Sequence, residues 1–218
     1  MKPCVFFVEG IVDARFIQLL LENIGCAQND IKIFSSLRKY NQDSKTEISI
    51  VQLNGWKALK EHGFRSFFDD CSQNKNISII IDADSEGTDE GGFSARKSAV
   101  KNCIGANCTN DVEIYLMHDN ESDGSLETLL EGMVKKPELI NTCWEKYKQC
   151  LATHDLDLDN PPAPKLKLAA YAAAIEPKVR KQLFLNESFS NNDVWNWNAT
   201  ALDPLKTFLR EQLTTADI

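Results

Sequence analysis

Two groups of carboxylates each close an apolar run, and divalent-cation chemistry is what such groups could do. Val5-Phe6-Phe7-Val8 leads into Glu9-Gly10-Ile11-Val12-Asp13, and Ile79-Ile80-Ile81 leads into Asp82-Ala83-Asp84. A carboxylate at the C-terminal end of a buried strand faces the crevice where open α/β sheets take their ligands. Several carboxylates gathered there repel one another unless a cation lies between them. Hard divalent ions take oxygen ligands of this kind. The expectation is a site at the sheet edge for one or two Mg2+ or Mn2+ ions. A third element, Gly124-Ser125-Leu126-Glu127-Thr128-Leu129-Leu130, follows a later apolar run. Alone it reads as a helix start, with Ser125 as N-cap and Glu127 in the favourable first turn.

For these groups to meet, the strands that carry them must lie parallel in one sheet. Strands are expected at Cys4–Val8, Ile48–Leu53, Ile77–Ile81 and Val112–Met117. Apolar residues at helical spacing follow each of them: Asp13–Ile24 stopped by Gly25, Trp56–Cys71 with a kink at Gly63, Ser94–Asn102, and a helix from about Ser125. Residues 35–46 and Asp82–Gly92 read as polar loops. The alternation of strand and helix predicts an α/β fold with a mostly parallel four-stranded sheet and right-handed crossovers. The loops after the first, third and fourth strands then share one edge. Beyond residue 134 the chain reads as helical, with segments Pro137–Leu151, Pro164–Ile175, Pro177–Leu185 and Pro204–Leu213. Asp155, Asp157 and Asp159 alternate within a turn-rich linker, but the Gly and distal Glu of an EF-hand are missing.

Together the three acidic elements resemble a Toprim domain, the metal-dependent, Rossmann-like fold of primases, topoisomerases, small ribonucleases and OLD-family nucleases. The resemblance assigns Glu9 to the first motif and Asp82 and Asp84 to the D-x-D. It is nearest the OLD-like branch, in which E-x-x-x-D is matched by Glu9 and Asp13 and S-x-E by Ser125 and Glu127. That branch also uses a lysine beyond the sheet, which Pro164-Lys165-Leu166-Lys167 supplies as Lys165 or Lys167. The resemblance implies a catalytic domain over residues 1–134, a helical extension over 135–218, and hydrolysis of phosphodiester bonds in DNA or RNA. Glu9, Asp13, Asp82, Asp84, Ser125 and Glu127 would serve the metal, with Glu9 and one of the lysines catalytic. OLD-type proteins carry an ATPase domain, whereas this chain has no G-x-x-x-x-G-K-[ST]. A separate ATPase or another protein partner is therefore expected.

Two other readings compete. Asp82-Ala83-Asp84 looks superficially like the nucleophile motif of haloacid-dehalogenase-type phosphatases, but that motif sits on the first strand and leaves Glu9 and Asp13 unexplained. A Toprim module that binds nucleic acid or protein without cutting is the other. Charge bears on both, because the net value of −8 suits no polyanion. Residues 135–181, however, carry nine basic and six acidic side chains and could face one. Seven cysteines in a chain with no leader before its first strand predict reduced thiols, a cytoplasmic setting and no membrane span. Trp195 and Trp197 have the rings to stack on bases, yet core packing is the simpler expectation.

Overall fold

The computed structural model describes residues 2–42, 46–71, 75–105, 112–154, 163–175, 189 and 192–214. These divide into two compact units. The first comprises residues up to Leu126 together with those from Asp203 onward, and the second runs from Glu127 to Leu202.

The first unit is built on β1 (Cys4–Val8), β2 (Ile31–Phe34), β3 (Ile48–Gln52), β4 (Asn76–Asp82) and β5 (Val112–Met117), in the order β2-β3-β1-β4-β5. All neighbours are parallel. The described residues thus form an α/β fold with a five-stranded sheet, not a four-stranded one. The strand missed by sequence is β2, only four residues long, on the sheet edge with Lys32 exposed. The expected loop at 35–46 holds the short helix α2 (Leu37–Gln42), which buries Leu37 and Tyr40. Six residues are too few to display a helical period. The expected helix Trp56–Cys71 is instead a 3-10 turn at Trp56–Lys60 followed by α3 (His62–Cys71).

The apolar runs of β1 and β4 are buried on both faces, as strands inside a parallel sheet must be. On one face Val5, Phe7, Ile79 and Ile81 pack with Phe64, Phe67 and Phe68 of α3 and with Val100 and Ile104 of α4 (Phe93–Ile104). Phe7 meets all three α3 phenylalanines edge-on at ring distances of 5.3–5.7 Å. The other face carries Cys4, Ser78 and Tyr115. These meet α8 (Asp203–Thr214): Cys4 Sγ and Asn76 Nδ2 donate to the Gln212 carbonyl, Ser78 Oγ donates to Gln212 Oε1 at 3.3 Å, and Tyr115 packs on Phe208. Helix α1 (Ile11–Asn23) buries Ala14, Phe16, Ile17, Leu20 and Leu21.

Helix α5 (Leu126–Met133) leads into the second unit, which holds α6 (Pro137–Ala152) and α7 (Ala163–Ile175). Pro137 opens α6 at the first turn, where its missing N–H costs nothing. A bridge joins Val134 to Trp195, and the Asn196 N–H donates to the Met133 carbonyl at 2.7 Å. Trp195 is fully buried against Phe189, in accord with its expected packing role. The expected helix at Pro177–Leu185 and the aspartates at 155–159 lie outside the described residues. No helix among the described residues is long and apolar enough to cross a membrane. Cys4, Cys26, Cys103, Cys143 and Cys150 are free thiols.

Candidate functional site

Strands β1 and β4 are neighbours, yet their outgoing connections run to opposite sides of the sheet, one toward β2 and the other toward β5. That divergence is the topological switch point at which open α/β sheets leave a crevice. Glu9 follows β1 directly and Asp82 ends β4, so two of the expected residues flank this point.

Glu9 is half-buried and firmly held. The backbone amides of Trp56 and Asp82 face its carboxylate and favour its charged form, and its own carbonyl accepts from the Gly55 N–H at 3.1 Å. Burial pushes its pKa above the usual glutamate range. Nearby Asp84 adds to this, while Arg96 and the two backbone amides pull the other way.

Asp82 Oδ1 accepts the N–H of Leu126 at 2.9 Å, which sets a carboxylate on the first turn of α5. Asp84 sits in left-handed backbone (φ +59°) and exchanges two hydrogen bonds with Gly124, at 2.8 and 3.2 Å. Its side chain is paired with Arg96. Arg96 is 1% exposed, lies over the Trp56 ring at 4.3 Å, and has Nε and Nη1 without partners. This arginine was not singled out by the sequence. Within SARKSAV it looks like a solvent-facing helix residue, and its burial depends on Trp56, forty positions earlier.

The loop after β4 is pinned rather than open. Asp123 accepts from the N–H groups of Glu86 and Phe93 at 3.0 and 2.6 Å. Asp89 and Glu90 pair with Lys57 and Lys60. Asp13 serves the start of α1, where its Oδ2 accepts the Gly10 N–H at 2.9 Å. In the second unit Lys165 reaches Glu127 at 3.3 Å, so the structure brings together the lysine segment and the acidic residue of S-x-E. Lys167 pairs with Glu131 at 2.6 Å. Ser125 precedes α5 in the first unit.

Glu9, Asp82 and Asp84 offer the oxygen donors a hard divalent ion takes, and the pKa of Glu9 is raised chiefly by burial and further by the charge of Asp84, which such an ion would offset. They fit it in donor type and in place on the sheet. They are not drawn tightly together. Among the described residues no three His, Cys, Asp or Glu side chains are grouped closely enough to hold a metal. Arg96 supplies positive charge to Asp84 instead. A family model described as "Protein of unknown function (DUF3226)" matches residues 3–214. No curated protein and no solved structure matches the chain.

Proposed function

The chain belongs to the DUF3226 family, and because that family brings no assigned activity we propose, from the site itself, a metal-dependent nuclease of Toprim-like, OLD-like type acting on DNA or RNA. The observation that carries this reading is the placement of Glu9 and Asp82 on adjacent strand ends at the switch point, with Asp84 electrostatically coupled to Glu9.

Glu9, Asp82 and Asp84 would hold Mg2+ or Mn2+, with Asp84 exchanging Arg96 for the ion. When bound, such an ion neutralises phosphoryl oxygens and lowers the pKa of a bound water. Glu9, raised in pKa by burial, is the candidate to accept a proton. Lys165 is the candidate for stabilising developing negative charge. Its 63% exposure supports it over Lys167, which is 15% exposed and tied to Glu131. Ser125 and Glu127 are the candidates for completing a second ion site, and Asp13 is occupied by its helix start. The free thiols accord with a cytoplasmic setting.

The test is cleavage of single- and double-stranded DNA and RNA with Mn2+ or Mg2+. Wild type should cut, Glu9→Ala should abolish cutting, and Asp82→Asn should shrink the metal-induced rise in Tm that binding produces by mass action. Lys165→Ala should lower turnover while affinity holds. Absence of both cleavage and a metal-dependent Tm shift sinks the reading. The Arg96–Asp84 pair favours one alternative, a module that binds nucleic acid or protein without cutting. It predicts binding with no cleavage and a Tm that the ions do not move.

A further inference from the structure

The first unit has a cavity of about 890 Å3 beside the loop that follows β3. Its wall includes Leu53, Asn54 and Gly55, from the same loop that supports the candidate base. The Leu53 N–H donates to the Val8 carbonyl at 2.9 Å and the Gly55 N–H to that of Glu9 at 3.1 Å. Two residues of the cavity wall are therefore hydrogen-bonded to the strand end that carries Glu9.

The lining has three chemical components. Arg38 and Lys57 bring two cations against the single carboxylate of Glu61, a reversal of sign in a chain of net charge −8. Lys57 is paired with Asp89, whereas Arg38 makes no ion pair among the described residues. A guanidinium fork matches the oxygens of a phosphate in a way a point cation does not. Asn41 and Gln52 line it with amides, each with donors and an acceptor side by side, the pattern that base edges pair with, and Asn54 adds a third whose Nδ2 also donates to the Ser35 carbonyl at 3.3 Å. Leu37, Leu53 and Phe64 provide apolar surface for a ring face. The volume lies within the range of about 300–1,000 Å3 of small-molecule sites.

From this combination we infer that the cavity is a subsite for one nucleotide unit, with its phosphate at Arg38 and its base against the amides and Phe64. As the place of the nucleotide next to the scissile bond, it rests on the nuclease reading. As a binding site it stands on its own geometry.

Calorimetric titration with 5′-ribonucleoside and 5′-deoxyribonucleoside monophosphates tests it, with unphosphorylated nucleosides and inorganic phosphate as separate arms. Wild type should bind the monophosphates. Arg38→Glu, at the cavity rim, and Asn41→Trp, which fills it, should each weaken binding by about tenfold or more, the scale of a lost charge-assisted hydrogen bond. Nucleosides and inorganic phosphate should each bind at least about tenfold more weakly than the monophosphates, because each lacks half of the contacts. Circular dichroism confirms that the variants fold, and Lys101→Glu, an exposed residue of α4 outside the lining, is the unchanged control. No binding by wild type, or binding that both cavity variants leave within twofold, overturns the inference even if the protein cuts nucleic acid. Monophosphate binding that both variants lose, in a protein that never cuts, upholds the subsite and removes the nuclease reading.

Discussion

Glu9 is desolvated by the fold, the backbone amides of Trp56 and Asp82 and the charge of Arg96 offset part of this, and the balance leaves its pKa raised. A carboxyl raised by folding favours the folded state most when protonated. Its contribution is complete below the unfolded-state pKa and is lost as pH rises through the folded-state value. Glutamine has no proton to lose. In chelator, Glu9→Gln should match wild type in acid and exceed its Tm increasingly as pH climbs through and above the carboxylate range. A Tm difference that is flat with pH would place Glu9 in a more solvated setting than described. The places of Glu9, Asp82 and Asp84 at or just beyond strand ends were legible because each follows a long apolar run. Arg96 was not, since a buried cation and an exposed one are spelled alike until the ring it stacks on is known. Asp13 was legible as a carboxylate, but its work at the Gly10 N–H is ordinary helix capping.

The elements that hold this edge are joined loop to loop. The segment after β4 is tied to the segment after β5 by the Asp84–Gly124 bridge and by Asp123. A Cβ at Gly124 would collide with Nδ1 of His118, a buried nitrogen with no partner. Gly124→Ala should therefore cost about 1–3 kcal/mol, read as a lower urea midpoint. It should also weaken any metal-induced Tm shift, because Asp84 loses its anchor. An unchanged midpoint would mean that the His118 ring swings aside freely. The four longer strands and the helices beyond them were readable from period and apolar content. Strand β2 and helix α2 were not, because four and six residues give too little pattern. The turn at Trp56–Lys60 merged with α3 because both are apolar at similar spacing.

Across the whole molecule, charge is unevenly spread. Exposed Lys135, Lys136 and Lys146 and half-exposed Lys148 lie in the basic stretch 135–181 of an otherwise acidic chain. If this stretch follows a nucleic-acid backbone, neutralising them weakens binding and flattens its salt dependence. Each lost phosphate contact lowers the log–log slope by about 0.7 to 0.9. A slope that the quadruple variant leaves unchanged assigns these lysines to solvation alone. The course of the chain has its own consequence. Residues 127–202 form a unit inserted between Leu126 and Asp203, and α8 then supplies Gln212 and Phe208 to the β1, β4 and β5 face of the sheet. A nascent chain released by the ribosome only as far as the inserted unit would expose an uncovered sheet face, with Ser78 and Tyr115 wet. The carboxylate edge can be laid down early in synthesis, but the body that stiffens it is sealed only when its last helix emerges.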